Sequence, residues 1–349
     1  MRLVRWREVA PSEARRSGTQ GAARPRLGIQ LDPGPDGRGG AIVPLDRLPG
    51  LADDDQRALA LAGADLAALL AADPGLEATR SGFDRLADVG AAVVAEPFHL
   101  LAPVHRPGKI LGIGHNYREH VAEQGLAIPD RPPVFAKFAN AIVGDGEPIV
   151  RPDVTAALDL EAELAVVIGR TARRVPESLA LAHVAGWTAV NDVSARDLQG
   201  QKPALRPGEH GDGQWVRAKS SDTFLPMGPA LVTVDELPDV GRLAVRSWRT
   251  SPGAGRVPMQ DGTTANMIFG VAQIIAFISH VVTLEPGDVI ATGTPSGVGV
   301  WREPPVFLVP GDVAGIEVEG IGRIDNPVVA FDGTVPQDSP AAALLQGHA

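Results

Sequence analysis

Glu161 and Glu163 stand two residues apart in LDLEAELAVVIG, a stretch from Leu158 to Gly169 otherwise built of Leu, Val, Ile and Ala. On a strand, side chains two apart share a face. A buried charge without a partner is costly. Two neighbouring carboxylates cost more, unless one is protonated or a cation lies between them. The ordinary alternative is an edge strand with both acids in water. A third acid argues for the cation: Asp192 closes the apolar run GWTAV in AVNDVSARD. Three carboxylates from two strand ends form an oxygen-only donor set for a hard cation, leaving about three positions of a Mg²⁺ octahedron for water or substrate. Ca²⁺ remains an option but usually takes more protein oxygens, and Zn²⁺ prefers His or Cys. Asp197 competes for the third place. Beside Arg196, it is expected to form a structural ion pair instead.

GIGHNYREHVAEQG holds a second constellation. With a helix or turn beginning near Asn116, His120 and Glu123 are then i, i+3 neighbours on one helical face. The carboxylate can orient the imidazole, and the pair can take a proton from water. A plain surface His–Glu contact is the alternative. His115, one turn away, competes as the base, and Tyr117 is the only tyrosine of the chain. Lys137, in PVFAKFANAIV, and Lys219, in WVRAKSSDTF, are isolated cations in apolar surroundings, where a lysine either snorkels or pairs with an anion. ATGTPSGVG, Ala291 to Gly299, offers backbone N–H groups that can hold an anion. It lacks the GK[ST] of a nucleotide loop.

The elements that must position these residues are mostly strands. From about Pro107, short β-type runs alternate with Gly/Pro turns: KILGIG, PVFAKF, ELAVVIG, GWTAVNDV, DVIATG and VAGIEVEGIGRI. EPGD and VPGD each introduce a strand. Helices are expected at Glu177 to Ala185 and Asn266 to Ser279. Strands outnumber helices and do not alternate with them, which disfavours a doubly wound parallel sheet and favours a mixed, β-rich α+β core. Before this region, residues 1 to about 100 read as a small unit: strands in LVRW, RLGIQL and AIVPL, one helix over DDDQRALALAGADLAALLAADP, and a second from Leu76 to Val89.

The composition sets limits. Hydrophobic residues make up 44% of the 349, enough for a sizeable core. The net charge of −10 argues against a general nucleic-acid binder. Cysteine is absent, so disulfides, iron–sulfur clusters and cysteine nucleophiles are excluded. The N-terminal stretch has no apolar signal core, and Glu8 and Glu13 speak against a transit peptide. With no run of 18 apolar residues, no membrane span is expected, and the cytoplasm is the default location.

The order of these blocks resembles the fumarylacetoacetate hydrolase family over roughly residues 107 to 330. The matching blocks are GIGHNYREHVAE, PVFAKFANAIVG, LDLEAELAVVIG, GWTAVNDVSARDLQ, WVRAKSSDTFLPMGP, QDGTTANMIF and LEPGDVIATGTPSGVG. The resemblance implies a mixed β-sandwich roll at 104–335, a small N-terminal β-containing domain at 1–103, a flexible tail at 336–349, and a homodimer. It implies Mg²⁺ or Mn²⁺ on Glu161, Glu163 and Asp192, the dyad His120 and Glu123, and substrate contacts from Lys137, Gln199, Lys219 and Thr294. Arg118, Tyr117 and Arg196 are further contacts with less support. The implied partner is a small 2-oxo acid. The expected reaction is hydrolytic C–C cleavage of an acylpyruvate-type 2,4-dioxo acid. Decarboxylation of oxaloacetate-type acids, diene-diacid isomerisation and sugar-acid dehydration use the same kind of site. A structural cation in a non-enzymatic module is the reading outside enzymology. Phe138-Ala139-Asn140 stands where many relatives carry Pro-Ser, and the loop Gly200 to Gln214 is a candidate lid.

Overall fold

The computed structural model describes residues 1–8, 24–86, 93–95, 97–201, 204–205 and 213–333. The tail at 336–349, the last residues of the helix expected at 76–89, and most of the loop at 200–214 lie outside the described residues.

Ala162–Ile168 (AELAVVI) is buried at every position. It is a central strand, antiparallel to Val184–Asn191 on one side and Val289–Ala291 on the other. Such an apolar, β-branched run suits a strand covered on both faces. Leu164, Val166 and Ile168 pack into one core with Trp187, Ile316, Ile324 and the helix residues Ile274, Ile275 and Ile278. Ala165 and Val167 point the other way, into a core shared with Leu231, Val289 and the N-terminal Leu69 and Leu70. The edge-strand alternative for Glu161 and Glu163 is thereby excluded.

Beyond Val289–Ala291 the sheet continues through Ile110–Ile113, parallel, and Val134–Lys137, antiparallel. In the other direction it runs through Leu225–Thr233 to Arg2–Glu8, registered Arg2↔Val232 and Leu3↔Leu231. The strands Arg26–Leu31, Ala41–Pro44 and Val94–Ala95 extend it further. The expected small N-terminal unit therefore continues the larger sheet and shares its core. A second sheet orders Gly255–Thr263, Ala244–Ser251, Val313–Val318, Gly322–Ala330 and Ile149–Arg151. The fold is mixed α+β and strand-rich. No helix among the described residues is long and apolar enough to cross a membrane.

The two Pro-Gly-Asp turns are one device used twice. Asp288 and Asp312 are each 1% exposed, and each accepts the N–H three residues back, from Glu285 at 2.7 Å and Val309 at 2.9 Å. Each then feeds its strand straight into a sheet.

Helix boundaries differ from expectation for local reasons. The helix expected over residues 53–74 is two, Asp55–Ala62 and Leu66–Ala72. Ala64 takes φ 49 between them, and Asp65 caps the second by accepting from Ala68 N at 3.1 Å. The late helix starts at Val271, after a 3-10 turn at Thr264–Asn266. Glu177–Ala180 passes into a 3-10 turn at Leu181–His183. The dyad helix, Arg118–Glu123, follows a turn at 114–115, in keeping with a helix or turn beginning near Asn116. The Asn116 side chain ties the preceding turn to Thr292 O at 2.7 Å and Phe269 N at 2.8 Å. Periodicity cannot register such side-chain competition with the backbone.

Candidate active site

Glu163 lies in the central strand and Glu161 just ahead of it, while Asp192 follows the adjacent strand, whose Asn191 pairs with Ala162. Antiparallel pairing thus brings the ends of two sequence blocks together. Asp192 N donates to Glu161 O at 2.9 Å, and Glu161 N donates to Asn191 Oδ1 at 2.9 Å. Oxygens of Glu161, Glu163 and Asp192 lie within 4.8 Å of one another. All three residues are buried, at 5%, 2% and 0% exposure.

Cations that the sequence scatters widely converge here. Lys219 Nζ donates to Glu161 Oε2 at 2.9 Å, Asp192 Oδ2 at 2.5 Å and Ser194 Oγ at 2.9 Å. Lys137 Nζ donates to Asp192 Oδ1 at 2.6 Å. Arg196 Nε donates to Asp159 Oδ2 at 2.9 Å, and its Nη2 is 2.7 Å from Glu161 Oε1. Four carboxylates (Asp159, Glu161, Glu163 and Asp192) therefore face three cations. Glu163 is the one with no ion pair among the described residues. Among the described residues its hydrogen-bond donor is Gly293 N, at 2.7 Å.

The electrostatics follow. Burial, then the charges of Asp192 and Glu161, push the Glu163 carboxyl well above the usual range. Burial also opposes ionisation of Glu161, but Lys219 and Arg196 outweigh it and hold that carboxyl below its usual value. Burial lowers Lys137. For Lys219, the pull of Asp192 and Glu161 overcomes burial and raises it. A buried all-oxygen cluster, with one carboxylate short of a positive partner among the described residues, fits a divalent cation. This donor set does not separate Mg²⁺ from Mn²⁺.

The dyad sits across the same cavity. His120 Nδ1 is 2.5 Å from Glu123 Oε1, and Glu123 Oε2 accepts Gly297 N at 3.0 Å. His120 is 6% exposed and lines the cavity; Glu123 does not. With Nδ1 engaged, Nε2 is the ring nitrogen left for chemistry.

The other expected contacts divide. Gln199, Lys219 and Thr294 line the cavity with Arg196 and the three acids. Gln199 accepts from Arg196 Nη1 at 3.1 Å. Thr294 donates to Ala162 O at 3.0 Å and accepts from Gln260 Nε2 at 2.6 Å. Lys137 is not among the lining residues; it is spent on Asp192. The ion pair expected between Asp197 and Arg196 is not formed. Asp197 accepts from Thr155 Oγ1 at 2.6 Å and Ala156 N at 2.9 Å, so it fixes the turn before the acidic strand and is no rival third ligand. Arg118 is exposed. Tyr117 is fully buried, its hydroxyl has no hydrogen-bond partner among the described residues, and burial followed by Glu163 and Glu119 pushes it well above its usual value. His115, half-buried, lines the cavity with φ 51.

Sequence reasoning missed Asp159. It accepts four donors: Leu160 N at 2.9 Å, Gly299 N at 2.8 Å, Val300 N at 3.0 Å and Arg196 Nε at 2.9 Å. Its signal was present, since Asp159, Glu161 and Glu163 continue one two-residue period. Asp159→Asn must turn an amide N–H₂ against two of these donors and loosens a buried charge. A loss of about 3–5 kcal/mol in unfolding free energy is expected, read by urea denaturation.

The family profile described as Fumarylacetoacetate (FAA) hydrolase C-terminal matches residues 109–329. The mitochondrial oxaloacetate tautomerase fahd2 of Xenopus laevis is 46% identical over 230 residues, 66% of this chain and 68% of that protein. The fumarylacetoacetate hydrolase of the psychrophile Exiguobacterium antarcticum superposes with a TM-score of 0.72 at 33% identity, covering 95% of this chain and 100% of that one. A 5-carboxymethyl-2-hydroxymuconate delta-isomerase from Mycobacterium smegmatis gives 0.64 at 31% identity, with the same coverage of 95% and 100%.

Proposed function

This chain belongs to the fumarylacetoacetate hydrolase family, and from that premise we propose that it is a divalent-cation-dependent hydrolase of acylpyruvate-type 2,4-dioxo acids. The observation that carries the reading is His120, braced by Glu123 from behind, lining the same cavity as the three-carboxylate cluster.

The chain's residues divide the work. Glu161, Glu163 and Asp192 would hold the cation, which when bound supplies Lewis-acid charge for the 2-oxo acid end of the substrate. Lys219 and Arg196 add fixed positive charge beside that end, and Gln199 and Thr294 offer polar contacts along it. Glu123 holds His120 with Nε2 toward the cavity. His120 removes a proton from water, and the resulting hydroxide adds to the C4 carbonyl. The C3–C4 bond breaks and its electron pair moves into the pyruvyl fragment. Protonation at C3 completes pyruvate and a carboxylic acid, so one water is consumed for each bond cleaved.

Keto–enol tautomerisation of oxaloacetate is the second reading, favoured by the 46% identity to an oxaloacetate tautomerase. There His120 would move a proton at C3 without adding water. The test uses metal-stripped protein, restored with Mg²⁺ or Mn²⁺, with absorbance loss and pyruvate followed on 2,4-dioxopentanoate and oxaloacetate. The hydrolase reading expects cation-dependent, stoichiometric pyruvate from 2,4-dioxopentanoate. Accelerated decay of oxaloacetate enol with no pyruvate from either compound would replace it by the tautomerase.

A further inference from the structure

Phe135, Trp215 and His115 line the cavity together with the amides Gln124 and Gln201, and the backbone is shaped to admit the rings. The Phe135 ring lies on Gly112, where a Cβ would come within 2.1 Å of it. The Trp215 indole lies on Gly114, where a Cβ would meet two ring carbons at 3.2 Å. Phe135 and Trp215 meet edge to face at 5.3 Å between centroids, and His115 meets Trp215 at 6.0 Å.

These contacts run as a series along the cavity. Lys219 Nζ, held by the acids, is 5.0 Å from the Phe135 centroid. Phe135 leads to Trp215, Trp215 to His115, and His115 stacks on His120 at 6.4 Å and 20°. The aromatic wall thus reaches the dyad, and His115 and Trp215 lie on the His120 side, where a substituent on the attacked C4 carbonyl would project. Arg196 and Lys219, the lysine and arginine side chains among the described lining residues, are both ion-paired at the acidic end.

Resting on the acylpyruvate reading, we propose that Phe135, Trp215 and His115 form a subsite for a planar, uncharged acyl substituent, so that the enzyme prefers aroyl- or similarly conjugated acylpyruvates to small alkyl ones and to diacids. Ring faces and edges favour stacking partners, whereas a distal carboxylate would be desolvated against carbon.

The experiment compares kcat/KM of the Mg²⁺-loaded enzyme on 4-phenyl-2,4-dioxobutanoate, 2,4-dioxopentanoate and the diacid 2,4-dioxohexanedioate. The phenyl compound is expected to lead each of the others by about tenfold or more. Trp215→Ala should bring the phenyl-to-methyl ratio to about one, and Trp215→Phe should retain most of it. A preference for the diacid, or a ratio unmoved by Trp215→Ala, overturns the subsite. Turnover of none of the three would instead count against the hydrolase reading. Calorimetric binding of the same compounds to Mg²⁺-loaded protein then decides: tighter phenyl binding lost in Trp215→Ala supports the subsite, and equal or weaker phenyl binding ends it.

Discussion

Glu123→Gln is expected to lower kcat by about 10²–10⁴-fold, with folding and cation binding retained. The reason is a hydrogen-bond direction. Glu123 accepts on both oxygens, from the His120 ring and from Gly297 N. A glutamine has one oxygen. If that oxygen stays on Gly297 N, its N–H₂ faces Nδ1 and forces the ring proton onto Nε2, the nitrogen needed as base. If it turns to His120, two N–H donors collide at Gly297. Single-turnover kinetics on 2,4-dioxopentanoate, with Mg²⁺ titrated by calorimetry, check both halves. Retained activity would remove the dyad from the mechanism.

Glu163→Gln should separate cation binding from folding in the opposite sense. Without a divalent cation, the buried Glu163 carboxyl has its pKa raised by burial, Asp192 and Glu161. A carboxyl raised in the folded state contributes stability only at low pH, and the contribution is lost as pH rises through its folded-state value. Cation-free wild type should thus weaken as pH climbs above the ordinary carboxylate range, while the glutamine variant should not. At neutral pH in EDTA the variant is expected to be the more stable by about 1–4 kcal/mol. Saturating Mg²⁺ should reverse the order, because only the wild type gains the full binding energy. Thermal melts at pH 5 to 8, with and without Mg²⁺, read both signs. Cation-dependent turnover should fall below detection in the variant.

Much of this site was legible because strand chemistry is periodic. Two acids at i and i+2 in an apolar run are conspicuous in a single sequence, and a third at the end of the next apolar run points the same way. The partners of those acids were not legible. Lys219 lies 58 residues from Glu161 and Lys137 lies 55 from Asp192, so their pairing depends on sheet order, which local pattern does not encode. The same limit hid the central position of Ala162–Ile168 and the join between the N-terminal strands and the larger sheet. The split at Ala64 was missed for a different reason: alanines and leucines continue on both sides, and Asp65 as a cap outweighs propensity at one point. Trp215 was legible only as the first residue of the block WVRAKSSDTFLPMGP, and its packing on Gly114 was not.

The turn after Val289–Ala291 has a consequence for how such an enzyme can change over generations. Its main-chain N–H groups at Gly293, Gly297, Gly299 and Val300 hold Glu163, Glu123 and Asp159. Main-chain donors survive most substitutions of the residue that carries them. Gly293 and Gly297, at φ 99 and 98, are positions where a side chain would strain the turn. Gly299 is fixed as well, because a Cβ there would meet Val306 O at 1.9 Å and Asp159 Oδ1 at 2.7 Å. Within the turn the room for drift narrows to half-buried Ser296, since Thr292 and Val298 are fully buried and Thr292 Oγ1 donates to Leu164 O at 2.8 Å; substitutions at Ser296 should leave all three carboxylates held.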